Sequence, residues 1–514
     1  MSLFYSKGLA MTIETWLPAV LGYLIPVGVF LLAWGGMDSQ RARRSTTVAA
    51  LALALATVGY FALGFAFHLG GAGLISDQPG LQHLTRIFAG EGELAWGLVG
   101  LAGFFLSGDA ATPEGMALFV TYLPLVATAV LLLVLGLHGQ ARGWQTIVGG
   151  LAMATLLFPI AACWAWGGGW LANLGAEATL GQGHGFVDYA GSAVVYLLSG
   201  VSALGALLGL GHRLPPGEPG APEEMPPAHF PLLANLGALL LGLGWLGWSL
   251  SEPFHAAGAA LNSPLIVING LLAGAGAVLV SQVYCWITVG HADPLMSARG
   301  AAVGWVAIAA TAPFAPPWGA LVIGAMAGLL LPLGVYLVER VLRLPDGTAT
   351  VSLGLLGGLW GAAAVAIFAD GRWGQGWNGV GGEEYRAVVG QGVTGFLPAA
   401  GFAGDGPGQL VAQLAGIGAI GLLALLVSWL LFFVLNLPYR PRRVREPEVG
   451  VGPAAEGALE GETVEDAAVT ASGGWLTLVK HTLFPVRRRD EKPPQVETEG
   501  EEPAEVDEPE KGSG

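Results

Sequence analysis

The sequence predicts an all-α polytopic membrane protein, and three observations carry that prediction. Of its 514 residues 53% are hydrophobic and only 11% are charged, and the mean hydropathy is +0.61; soluble domains carry roughly a quarter charged residues. Eleven apolar runs are long enough to cross about 30 Å of hydrocarbon. Basic residues fall in every second connection between those runs.

The runs lie near 16–36, 46–67, 115–138, 145–167, 188–211, 231–250, 263–288, 299–314, 317–338, 351–369 and 408–436. Those at 299–314 and 351–369 are the shortest. Residues 93–107 are apolar over only about fifteen positions, a length typical of re-entrant or interfacial segments, and are assigned to a loop. Arg41, Arg43 and Arg44 follow the first run, Arg142 the third, Arg213 the fifth, Arg299 the seventh and Arg340 and Arg343 the ninth. Arg440, Arg442, Arg443 and Arg445 follow the last. The opposite connections carry acids such as Asp77, Glu91, Glu93, Asp109, Glu383 and Glu384. A bias of this kind places the basic side in the cytoplasm, so the expected location is the inner or plasma membrane, N-terminus outside and C-terminus inside. A spanning segment at 93–107 would break the alternation.

Eighty-two glycines in so apolar a chain indicate closely packed helices, since small residues let backbones approach where lipid supplies no hydrophobic drive. The Pro-rich loop His212–His229 divides the runs into five before and six after. An odd number of spans per half forces the halves to opposite topology, the arrangement of an inverted repeat with a pathway between the halves. No internal identity between the halves is visible, so this expectation rests on parity. The expected division is an extracytoplasmic segment 1–15, a membrane domain 16–437 and an acidic cytoplasmic tail 438–514. Of the net charge of −15, the stretch from Glu446 contributes −11, with 17 acidic against 6 basic residues. Its Glu/Pro/Gly composition predicts disorder, apart from an amphipathic segment at 475–489 suited to the membrane surface. The N-terminus lacks the pattern of a cleaved signal peptide.

Phe158–Gly200 is the chemically densest stretch: a Trp-Gly-Gly-Gly break separates two apolar segments, and Asp188 stands at the mouth of the second. A carboxylate near lipid depth is either a functional group facing a water-filled path or a cap for the first turn of the helix behind it, and the two roles are compatible. Cys163 and Cys285 both lie in apolar runs and are expected as core filler, with no disulfide framework and no metal site. No cofactor motif, nucleophile triad or phosphate loop can be placed, which argues against an enzyme, and no basic face suits nucleic acid.

The ordered segments FPIAACWAWGGG, GFVDYAGSAVVYLLSG, LGWLGWSLSEPFHAAGAALN, PFAPPWGALVIGAMAGLL and SLGLLGGLWGAAAVAIFADG resemble the ammonium transporter family (Amt/Mep/Rh). So do PVGVFLLAWGGMDSQRARRS and VGYFALGFAF near the start, and the likeness keeps the family's order from about Leu17 to Leu437. The resemblance implies a 5+5+1 inverted-repeat bundle, assembled as a homotrimer in the lipid bilayer. Each subunit would have a narrow pore for ammonium or ammonia and no cofactor. It implies that Asp188 is the structural acid below an outer vestibule, that Trp166 is the vestibule tryptophan, and that Trp248 falls at the aromatic gate. An indole face attracts a small cation by roughly 0.5–2 kcal/mol, in keeping with those roles.

Departures from the family pattern are specific. Where DxAGxxVVH ends in a pore histidine this chain has Tyr196, and where HGVGGIWG opens with the second it has Gly354. A phenol of pKa about 10 and a glycine cannot relay protons near neutral pH. The vestibule serine position is Glu252, three residues before His255, close enough for the two to pair, each then favouring the other's charged form. No second gating phenylalanine is visible around Thr121–Ala127. Three functions follow: a channel for ammonia or a similar small solute, with Tyr196 as polar handle and Gly354 widening the path; a non-conducting sensor that binds a cation through Glu252 and His255 and signals through its tail to a cytoplasmic partner; or an accessory subunit of a membrane assembly. His68, His83, His184 and His291 are expected as solvated side chains in loops or at helix ends.

Overall fold

The computed structural model describes residues 13–88, 96–176, 179–211, 228–251 and 253–439. The expected tail with its amphipathic segment, the N-terminal segment up to residue 12, and Glu252 lie outside the described residues. Among those described, the apolar runs form helices α1 (Leu17–Gly36), α2 (Val48–Leu74), α3 (Pro113–Gly136), α4 (Gly143–Trp166), α5 (Ser192–Leu210), α6 (Pro231–Ser249) and α7 (Ser263–Thr288). They continue as α8 (Pro294–Ile308), α9 (Pro317–Val341), α10 (Thr350–Phe368) and α11 (Gly406–Asn436).

Ten of these are long and apolar enough to cross a bilayer; α8, with 15 residues, is the exception. At 1.5 Å per residue it reaches about 22 Å, short of the hydrocarbon thickness. The run that predicted a span over 299–314 contains a helix that starts earlier, capped by Asp293, and stops at Ile308. Residues 309–315 then turn, and this is possible because they are buried in protein. Asn269 on α7 donates to the carbonyls of Ala312 and Ala315 at 2.8 and 2.7 Å, and Ser192 Oγ accepts from the Ala310 amide at 2.8 Å. The backbone groups freed by the break are thus held by α7 and α5.

Helix pairings repeat with an offset of five. Contacts α1–α3, α2–α3, α2–α4 and α3–α5 recur as α6–α8, α7–α8, α7–α9 and α8–α10. The leading helices of the halves, α1 and α6, pack on each other, and so do α5 and α10. At α1–α6 a Cβ on Gly28 would stand 2.3 Å from the Leu241 amide nitrogen, so only glycine allows that approach. α11 lies outside the repeat and packs on α5 and α10. The bundle therefore has the 5+5+1 arrangement that the resemblance implies, and the recurrence agrees with the repeat expected from parity.

Residues 75–112 and 369–405 form the long connections on one face. They include two short antiparallel pairs, β1 (Ile87–Phe88) with β2 (Val99–Gly100) and β3 (Glu384–Tyr385) with β4 (Val388–Val389). The described part of 93–107 contains no helix of spanning length. Arg41, Arg142 and Arg343 lie on the short connections of the opposite face, and Arg340 in the last turn of α9.

Candidate functional site

α5 does not start as an ordinary helix. Asp188 is 1% exposed, and its carboxylate accepts from the amides of Gly191, Ala193 and Val194 at 3.0, 2.9 and 2.9 Å. Gly191, at φ 90°, makes the left-handed turn that brings those amides round to one acid. The first turn, Ser192–Leu197, is then π-helical, a bulge type that concentrates at functional positions. Burial pushes the Asp188 carboxyl up to about 6 against the lowering effect of the amides.

α10 repeats this construction. Asp346, 2% exposed, accepts from the amides of Val351 and Ser352 at 2.9 and 2.8 Å and from the Ser352 hydroxyl at 2.6 Å. Burial raises it to about 6 as well, with its Ser352 contacts opposing. A π-helical turn follows at Leu353–Gly357. Both acids reach the amides five and six residues on, and Tyr196 and Gly354 each stand eight residues after their acid. Tyr196 and Gly354 are equivalent members of the repeat. Asp346 escaped the sequence reading, although its spacing to Gly354 was there to be found.

Tyr196 and Gly354 meet where α5 crosses α10. A Cβ on Gly354 would be 2.5 Å from the Tyr196 carbonyl oxygen and 2.9 Å from Gly200 Cα. Gly354 therefore draws the two helices together, and the expectation that it widens a path is corrected. The Tyr196 hydroxyl is buried without a hydrogen-bond partner.

Above this crossing, Trp166 donates from Nε1 to the Asp188 carbonyl at 2.7 Å, joining two of the predicted residues directly. Trp248 donates to the Thr121 carbonyl at 2.8 Å. His255, on the connection between α6 and α7, lies flat on Trp166 with ring centroids 4.8 Å apart and planes at 11°. Its Nε2 faces the Tyr189 carbonyl at 2.8 Å and its Nδ1 the Tyr122 hydroxyl at 2.8 Å. A carbonyl only accepts, so Nε2 carries the hydrogen, and in the neutral ring Nδ1 accepts from Tyr122. Burial pulls the imidazole down to about 3, although the Tyr189 contact works the other way. His255 thus has two neutral partners, and its expected partner Glu252 lies outside the described residues.

Three further residues belong to this cluster. Tyr122, within the segment that shows no second gating phenylalanine, lies 5.9 Å from Trp166 and 6.1 Å from Trp248. Trp377, from the long connection before α11, meets His255 edge-on at 5.9 Å; a loop tryptophan carries no periodic signal. His68, expected as solvated, is fully buried, 4.9 Å from Tyr122, with Nδ1 2.9 Å from the Tyr60 hydroxyl. It is buried because α2 runs on to Leu74 and carries it under the aromatic rings. His184 is also buried rather than solvated, its ring 4.4 Å from that of Tyr385. His83 and His291 are exposed, as expected.

The family model described as Ammonium Transporter Family matches residues 15–453. Ammonium transporter Amt2 of Archaeoglobus fulgidus is 30% identical over 321 residues, 62% of this chain and 63% of the relative. The alignment with the putative ammonium transporter of Synechocystis likewise covers 62% of that protein, so the chain spans less than two thirds of these two relatives. The ammonium transporter of Bacillus subtilis is 25% identical over 84% of this chain and 93% of its own length. The crystal structure of Saccharomyces cerevisiae Mep2 superposes with a TM-score of 0.63 at 23% identity, covering 83% of this chain and 88% of Mep2. A structure named Sensor Amt Protein superposes equally well, with a TM-score of 0.63 at 22% identity over 82% of this chain and 94% of its own. With that match running through all eleven helices, this multi-pass membrane protein belongs to the ammonium transporter family.

Proposed function

We propose that the chain carries ammonium or ammonia across the membrane between its two halves, received at the aromatic cluster of Trp166, Trp248, Tyr122 and His255 and passing the Tyr196 hydroxyl. The observation that carries this reading is that hydroxyl. It is a buried polar atom with no partner, at the repeat-related crossing of two interrupted helices. An unmet buried hydroxyl costs about 1–3 kcal/mol, and a small amine passing it could accept its hydrogen. The names of the relatives support the substrate class. No imidazole stands at Tyr196 or Gly354, so a solute crossing there exchanges no proton with those two positions.

In this reading Asp188 orients α5 and Trp166, and the charge of Glu252 attracts the cation. The arginine-bearing face is cytoplasmic, the N-terminus is outside, and the protein works as a homotrimer whose tail meets a cytoplasmic partner. The test is ammonium flux into liposomes holding the full chain. Flux above that of empty vesicles is expected; flux equal to empty vesicles, with ammonium still raising the melting temperature, would establish the sensor reading instead. Stable co-purification with unrelated membrane subunits, without flux or binding, would establish the accessory one.

A further inference from the structure

Five aromatic rings surround His255. Trp166 lies under it at 4.8 Å, Trp248 is near-parallel at 6.2 Å and 24°, and Trp377 is edge-on at 5.9 Å. Tyr122 and Tyr189 complete the ring at 6.1 and 6.4 Å. A cage of indoles and phenols of this kind is how proteins bind small ammonium and alkylammonium ions, through the negative faces of the rings. In this chain the flat position on Trp166, where a cation gains most, is filled by an imidazole of the protein. Both of its nitrogens are hydrogen-bonded, so it is held in place and does not merely rest there.

We propose that His255 is the resident occupant of a cation cage, so that an ammonium ion arriving at this face competes with a tethered side chain for the Trp166 surface. His255 then sets which cations are admitted, and how tightly, by having to leave, and it is not one of the walls that bind them. Two details agree. His255 sits on a short connection, Phe254–Ala256, outside any spanning helix, where a small backbone movement can withdraw it. It is also intermediate in exposure, whereas Trp166, Trp248, Tyr122, Tyr189 and Trp377 are each at most 2% exposed, so His255 is the least covered residue of the cage. The low proton affinity of its ring keeps the occupant neutral, so an approaching cation is not repelled by charge.

This inference refines the transport proposal, but its test needs no transport. Binding of ammonium and of tetramethylammonium to the full chain in detergent would be measured by tryptophan fluorescence, for the parent, His255→Ala and Tyr122→Phe. His255→Ala empties the cage and should bind tetramethylammonium about tenfold more tightly, the order a cation–π site is worth. His255→Ala combined with Trp166→Ala should lose that gain. Tyr122→Phe keeps the cage but releases Nδ1, and should tighten ammonium binding by a smaller factor. It carries the test if His255→Ala does not fold. Equal or weaker binding by the variants would overturn the proposal and make His255 part of the binding wall. Tighter binding by His255→Ala without flux in liposomes would leave this inference standing and defeat the transport reading.

Discussion

Gly354 lies so close to the main chain of Tyr196 that a Cβ there would stand 2.5 Å from the Tyr196 carbonyl oxygen. The neighbours are backbone atoms, since Gly200 Cα and amide nitrogen are at 2.9 and 3.0 Å, and no side chain can rotate away to make room. Gly354→Ala is therefore expected to destabilise the protein by about 1–3 kcal/mol through overpacking, and Gly354→His by more. Melting in detergent checks this. An unchanged melting temperature for Gly354→Ala would mean that α5 and α10 stand further apart than described.

Tyr196→Phe separates structure from transport. The hydroxyl has no protein partner, so removing it should leave stability unchanged or slightly raised. If the hydroxyl meets the passing solute, ammonium flux into liposomes falls severalfold while the melting temperature holds. Unaltered flux would remove Tyr196 from the path.

Apart from the end of α2, which runs on to Leu74, and the bounds of α8, hydropathy located the spans to within a few residues because each lipid-facing helix must satisfy its own backbone and stay apolar for its full length. α8 departs from its predicted bounds because it is enclosed by protein, and a buried helix need not match the bilayer. Asp188 and Trp166 were legible because a lone acid and a glycine break stand out in an apolar stretch. Asp346 was not, since its surroundings, LPDGTAT, read as an ordinary turn until the spacing to Gly354 is set beside that of Asp188 and Tyr196. His68, Tyr122 and Trp377 meet only through the crossing of α2, α3 and a distant loop, and no local pattern records that meeting.

The equivalence of Asp188 and Asp346 predicts matched losses. Replacing either by alanine leaves three buried donors without that acceptor, each costing about 1–3 kcal/mol. Asparagine retains one acceptor oxygen but turns an amide toward donors, so it should recover only part of the loss. The two acids share no hydrogen-bond partner, and the effects of Asp188→Ala and Asp346→Ala should add. Should Asp346→Ala melt like the parent while Asp188→Ala collapses, the two helix starts are not equivalent.

His184 gives the long connections a defined response to acid. Both ring nitrogens are buried without partners, and burial pulls its pKa down to about 4 from an ordinary value of about 6.5. The folded value lies below the unfolded one, so between those limits the unfolded chain binds more protons. Stability from this residue is complete above about pH 6.5 and declines by roughly 1.4 kcal/mol per unit as the pH falls toward 4. Asp188 and Asp346, raised to about 6, act in the opposite sense over much of the same range, so the whole-protein profile will be shallow. The informative quantity is the difference between the parent and His184→Phe, whose ring can keep the contact with Tyr385. That difference should shift in the variant's favour as the pH is lowered from 6.5 to 4, read as melting temperature at each pH. A constant difference would show that the imidazole already reaches water in the folded protein.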